Sequence, residues 1–249
     1  MTTMGPGDLS GVIHKDGGLV FETLDNMTVA ESVTMLYYGG AGVGKTYFIA
    51  TAGPRTLIIN IGNGLVTIQS PVVKRMFYQN GMPIVVTIQE ERDPKTGIFS
   101  KAEAFDKVCD AIDIGLEKFG DRFDTIAVDD CTQLRAFANN KGLEMSGELG
   151  KSKSLESARK YGAVVQAQQD FLAEMNLIEQ FVAGTVALCK RHNKHLIMTA
   201  HERYIYKKIK DERGKVIGEE IERIRPAFTG RTFPDDVTAH FDLVWHAEV

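Results

Sequence analysis

Gly39-Gly40-Ala41-Gly42-Val43-Gly44-Lys45-Thr46 is the stretch on which the reading of this chain turns. It fits GxxxxGK[ST], and each position has a physical task. The glycines let the backbone curl so that its N–H groups point at phosphate oxygens. A following helix turns its positive N-terminal end toward the same anion. Lys45 would reach the β and γ phosphates, and the Thr46 hydroxyl would hold magnesium. The flanks agree with the motif. Residues 32–38 (SVTMLYY) are apolar and β-prone, and residues 45–51 read as a helix.

Outward from this loop the pattern alternates. Residues 55–61 (RTLIINI) and 83–89 (PIVVTIQ) read as short buried strands. Residues 102–119 carry Phe105, Val108, Ile112 and Leu116 at helical spacing, and 124–128 (DTIAV) form a strand that runs into two aspartates. Residues 155–192 are helical in pattern, with Gly162 and Gly184 as possible breaks. Residues 194–200 (KHLIMTA) are a further strand, 203–225 a hairpin turning at 211–214, and 241–245 a last strand. Strands alternating with helices predict an α/β fold: a mostly parallel, twisted sheet with helices on both faces and a C-terminal β-hairpin. Residues 1–30 form an arm or small hairpin, and residues 31–249 a single nucleotide-binding domain.

Composition sets limits. The 249 residues are 43% hydrophobic and 25% charged, with a formal net charge of −4, which excludes a uniformly basic coat but not local basic loops. Three cysteines without a CxxC argue for buried reduced thiols rather than a disulfide framework or structural zinc. Cys189, His192 and His195 cluster among cations at a helix end, where positive charge needs no metal to explain it. The start lacks a basic segment leading into an apolar one, and no run reads as a membrane span, so a cytoplasmic location is expected.

Partners for the loop follow in order. Asp129 ends its strand where a carboxylate would hold magnesium through water. Asp130 either polarises an attacking water or caps the next helix. His201, closing the strand Met198-Thr199-Ala200, is either a sensor near the γ phosphate or a satisfied loop histidine.

Taken together, GGAGVGKT, DTIAVDD, the helix beginning near Tyr161-Gly162, LIMTAHERY, RPAFTGR and FDLVWH resemble the RecA-like P-loop ATPases encoded by bacteriophages, the group that includes single-strand-annealing recombinases. The resemblance runs from about Ser32 to the end. It implies a RecA-like core, ATP with Mg2+ as cofactors, single-stranded DNA as partner, and self-association into a ring or filament in the bacterial host cytoplasm. A single-stranded-DNA-binding protein is a further partner it suggests. In that family the DNA loops follow the Asp129 strand and the sensor strand. Here those places hold residues 139–154, with Lys151 and Lys153, and residues 203–218, with Arg203, Tyr206, Lys207, Lys208 and Lys210. Lysines and arginines would neutralise phosphates and tyrosines would stack bases. The alternative for the second segment is a solvated charged hairpin. Residues 147–152 (GELGKS) mimic a phosphate loop but are too short between glycines.

In an oligomer, Arg225 or Arg231 could reach a neighbour's γ phosphate, with Arg231 favoured by the family's placement of a basic residue after Gly230. One departure stands out. Such ATPases carry a water-activating carboxylate after the strand that follows the loop helix, whereas this chain has Asn60 and Gly62. Glu90, Glu91 and Asp130 are possible substitutes. The alternative function is therefore a nucleotide-gated binding or assembly module with little or no hydrolysis.

Overall fold

The computed structural model describes residues 12–16, 19–22, 32–62, 64–91, 101–145, 168–210, 212, 215–228 and 233–248. Backbone contacts divide the chain into two units, Met1–Glu31 and Ser32–Val249. In the first, β1 (Val12–Asp16) pairs antiparallel with β2 (Leu19–Glu22).

The second unit is built on a sheet. Along the chain come β3 (Thr34–Gly39), α1 (Lys45–Ala50), β4 (Thr56–Asn60), α2 (Leu65–Gln69), α3 (Pro71–Phe77) and β5 (Ile84–Thr87). After these come α4 (Ala104–Phe119), β6 (Thr125–Asp129), α5 (Cys131–Met145) and α6 (Gln168–Arg191). Last are β7 (His195–Lys210), β8 (Val216–Pro226), α7 (Phe233–Thr238) and β9 (Leu243–Ala247). The strand order is β5-β4-β6-β7-β3-β9, and every neighbouring pair in that order is parallel. The outer half of β7 leaves the parallel sheet and pairs antiparallel with β8, Glu202 opposite Pro226 through Lys210 opposite Val216.

Residue pattern explains the layering. β4 and β6 are buried at every position, as parallel strands covered on both faces must be. Their alternate side chains go to opposite faces. Leu57, Ile59, Ile126 and Val128 join a core with Phe105, Val108 and Ile112 of α4, Leu134 and Phe137 of α5, and Ile178 and Val182 of α6. Ile58 and Ala127 face the other way, against Ile49 of α1, Ile68 of α2 and Val73 of α3. Local chemistry sets helix starts. The Ser70 hydroxyl accepts from the Val73 N–H at 3.2 Å, and Pro71 follows at the first helical position.

Three expectations change. Gly184 does not break α6, which continues to Arg191 because its buried residues keep one packed stripe. The segment 139–154 is not a loop from its start: α5 carries it in helix to Met145, where Leu143 is buried. Lys141 there is held by Asp106 at 2.7 Å and Glu144 at 3.1 Å. The strand at 194–200 and the first arm of the hairpin are one strand, β7. The helices at 65–77 and 233–238 had no sequence assignment.

Candidate functional site

Sheet order puts β3 between β7 and β9, with β6 the next strand beyond β7. Parallel register therefore brings the C-terminal ends of β3, β6 and β4 together with His201, where β7 leaves the parallel sheet. The loop after β3 needs left-handed backbone at Gly42 (φ 82°) and Gly44 (φ 88°), which L side chains rarely adopt. Beyond it lies a cleft of about 320 Å³.

Lys45 is buried, and its Nζ donates to the carbonyl oxygens of Gly39 (2.9 Å) and Gly40 (2.6 Å). Burial lowers its pKa, opposed by Asp130, Asp129 and Glu202. Gly39, Gly40 and Val43 shape the loop, and Ala41, Gly42, Gly44 and Thr46 line the cleft. Thr46 Oγ1 donates to Asp129 Oδ2 at 2.8 Å, and Thr199 Oγ1 donates to Asp129 Oδ1 at 2.6 Å. A carboxylate flanked by a hydroxyl, with a lysine nearby, suits a hard divalent cation shared with phosphate oxygens. Mg2+ is usually held by one or two carboxylates plus the substrate's phosphates rather than by a protein cage. No group of three His, Cys, Asp or Glu that could hold a metal occurs among the described residues.

Gly64 supplies a second observation of fit. A Cβ there would stand 2.6 Å from Asp129 Oδ2 and 2.7 Å from Thr46 Oγ1. The pair thus has room only because position 64 has no side chain.

Asp130 caps α5 and also stands at the cleft wall. Its Oδ1 accepts the Gln133 N–H at 2.8 Å, capping α5, while Oδ2 lies 3.2 Å from His201 Nε2 at the cleft wall. Burial raises its pKa, opposed by the Gln133 N–H and by His201. His201 also places Nδ1 3.4 Å from Lys45 Nζ, and its backbone N–H donates to Thr132 Oγ1 at 2.9 Å. It therefore stands between the lysine and Asp130.

No carboxylate enters from β4. Asn60 is buried and donates from Nδ2 to Thr87 Oγ1 at 3.3 Å. Gly62 lines the cleft, its N–H donating to the Asp129 carbonyl at 3.1 Å. Glu90 accepts from Asn140 at 2.5 Å and Glu91 lies 3.4 Å from Lys107; neither lines the cleft. Asp129 and Asp130 are the only carboxylates among the described lining residues.

The remaining positions are less concentrated. Arg203, Tyr206, Lys207 and Lys208 are exposed on β7, which ends at Lys210. Lys207 lies opposite Glu220 and Lys208 opposite Glu219, so the basic strand faces an acidic one. Lys151, Lys153 and Arg231 lie outside the described residues. Arg225 is paired with Asp235 at 2.9 Å.

The sequence reading missed Thr199, Gly64, Thr67 and Tyr47, all at or beside the cleft. Thr199 and Tyr47 adjoin motif residues, so a search of motif neighbours would have found them. Gly64 had no signal, since its role depends on where α2 begins. Glu202, part of TAHE, backs the loop. Its Oε2 lies 2.7 Å from His246 Nε2, its Oε1 accepts from Tyr204 Oη at 2.5 Å, and these bonds, that to His246 first, hold its pKa below the usual carboxylate range. TAHE and FDLVWH thus meet in one hydrogen bond.

A glycine loop after a central strand, a strand-borne aspartate on its threonine and a parallel sheet around them define a P-loop ATPase-like α/β fold, consistent with a RecA-like core. The chain belongs to the AAA domain family, which matches it over residues 31–249. Proteins of this P-loop ATPase family generally use a nucleotide and Mg2+. Among solved structures the chain is similar to a prototypical ATPase from the type III secretion system of pathogenic bacteria. Identity is 13% and the TM-score 0.42, over 86% of this chain and 52% of that one. The chain spans about half the length of that ATPase. No curated protein matches the sequence.

Proposed function

We propose that this chain binds ATP with Mg2+ in the cleft and hydrolyses it slowly, and that nucleotide state controls its grip on single-stranded DNA. The observation that carries the nucleotide part is Asp129, buried and bonded at both oxygens to Thr46 and Thr199 beside Lys45. Lys45 would leave its loop carbonyls for the phosphates, and Thr46 and Asp129 would hold the cation, which supplies charge neutralisation. Asp130 would take the proton of the attacking water, and His201 would hold Asp130 and sense the γ phosphate.

The DNA part rests on the resemblance to phage recombinases and on the β7–β8 ribbon. Residues 201–226 hold eight Lys and Arg against six Asp and Glu, so phosphate neutralisation there is modest. Stacking on Tyr204 and Tyr206, both exposed with ring centroids 6.4 Å apart, is the stronger argument. Self-association into a ring or filament, with Arg231 reaching a neighbour's nucleotide, belongs to the same reading. So do a role in phage recombination or annealing within the host cytoplasm and a single-stranded-DNA-binding protein as partner.

The absence of a β4 carboxylate from the cleft favours a second reading, a nucleotide-gated module with little turnover. Phosphate release and fluorescence anisotropy with labelled single-stranded DNA separate the two. DNA-stimulated release supports the first. ATP-dependent DNA binding without release supports the second. No DNA binding at low salt with ATP and magnesium removes the DNA part of both.

A further inference from the structure

The cleft has an inner and an outer end. Lys45 and Asp129 are buried, while Ala41, Gly42, Gly44 and Tyr47 on the same wall are exposed. A triphosphate whose terminal phosphate meets Lys45 must therefore leave its nucleoside at the outer lip. Tyr47, the residue after Thr46, stands there.

Two contacts from α3 fix the Tyr47 ring. Phe77 meets it edge-on, with centroids 5.4 Å apart and planes at 78°, and its hydroxyl donates to Met76 Sδ at 3.8 Å. Tyr47 as a whole is still 38% exposed and lines the cleft. An aromatic ring held in this way loses little conformational freedom when a second ring stacks on it.

The other lining residues offer the base little. Among those described, only Tyr47 and His201 carry rings, and His201 is at the inner end between Lys45 and Asp130. Among the described lining residues there is no Asn, Gln or Arg to present a paired donor and acceptor to a base edge. Both carboxylates are at the inner end, the Thr46 hydroxyl is engaged with Asp129, and the lining Thr67 hydroxyl both donates and accepts, so it selects neither purine. A site that hydrogen-bonds a base edge discriminates strongly, because the wrong base leaves buried polar groups unpaired. A site that only stacks discriminates by ring area.

We propose that Tyr47 is the stacking platform for the nucleobase, and that the cleft takes purine nucleoside triphosphates with little distinction between adenine and guanine. This deepens the proposed function and rests on its nucleotide part.

The experiment is a set of titrations in magnesium buffer with ATP, GTP, CTP and inorganic tripolyphosphate, on wild type, Tyr47→Ala and Tyr47→Phe. Wild type binds ATP and GTP within a few-fold of each other and CTP more weakly. Tyr47→Ala weakens ATP and GTP by roughly tenfold, the scale of one lost aromatic stack, and leaves tripolyphosphate unchanged. Tyr47→Phe keeps wild-type affinities. Unchanged tripolyphosphate binding also reports that the variant is folded. Equal ATP affinity in Tyr47→Ala and wild type overturns the platform while leaving the phosphate site standing. A wild-type preference of about a hundredfold or more for ATP over GTP, the scale of leaving one buried polar group unpaired, overturns the stacking-only site. Failure of wild type to bind either ATP or tripolyphosphate overturns the nucleotide reading itself.

Discussion

Gly64 is the residue whose identity the site depends on without any contact of its own chemistry. Its φ of −69° suits any amino acid, so the constraint is purely steric. In Gly64→Ala the added methyl must push Thr46 and Asp129 apart. Titration with ATP in the presence and absence of magnesium should show the magnesium-dependent part of the affinity lowered about tenfold or more, the usual cost of disturbing a metal ligand's surroundings. Unchanged magnesium dependence would contradict the assignment of that pair. Asp130 gives a prediction with a sign. Burial raises its pKa, so the folded state disfavours its charge. The stability it contributes is present below the ordinary carboxylate range and is lost as pH rises through the raised value. Asparagine stays neutral and also caps helices well. Asp130→Asn should therefore melt at a higher temperature than wild type near pH 7, with the difference closing as pH falls into the ordinary carboxylate range. Its phosphate release should fall, on the order of a hundredfold if Asp130 is the base. Lower melting at neutral pH, or undiminished release, would refute the respective half.

At the scale of elements, α5 and α6 are joined by an ion pair between a buried carboxylate and a half-buried arginine. Glu174 is 1% exposed, and Arg135 Nε reaches its carboxylate at 2.8 Å. Because the Arg135 side chain is 36% exposed, removing it from this buried carboxylate should cost less than breaking a fully buried pair, on the order of 2 kcal/mol. Urea unfolding of Arg135→Ala should show a loss of that order. A loss below roughly 0.5 kcal/mol would mean that the pair behaves as a surface bridge. This pair was not legible beforehand, because neither residue lies in a motif and the register of α5 against α6 is set by packing. The strands around the loop were legible for the opposite reason. β4 and β6 are continuous apolar runs bounded by turn residues, a pattern with few other outcomes. Short helices such as α2 and α3 carry five and seven residues, too few for a helical period to declare itself. The ribbon of β7 and β8 was legible as a hairpin, but its cross-strand charges were not. Seeing that Lys207 faces Glu220 requires the register, and the bulge between Ile205 and Tyr206 shifts it.

For the whole molecule, one P-loop unit from Ser32 onward accounts for the residues that converge on the cleft. Motif residues 39–46, Asp129, Asp130 and His201 were named from sequence and lie together because parallel strands end at the same edge of the sheet. What sequence could not supply was the wall opposite the loop beyond Gly62, where Gly64 precedes α2 and Thr67 lies on it. The helix α6 illustrates a limit of composition. Residues 172–191 have a mean hydropathy of 1.2 and enough length to cross a bilayer, yet Ile178, Phe181, Val182, Val186 and Cys189 are buried in the core. The central claim is that Lys45, Thr46 and Asp129 form a magnesium–nucleoside triphosphate site. Calorimetric titration of Mg-ATP into wild type and Lys45→Ala tests it most directly. The account predicts saturable binding to wild type and an affinity lower by roughly tenfold to a hundredfold in the variant, the worth of one charge-assisted contact. Equal binding by both proteins, or none by wild type, would contradict it.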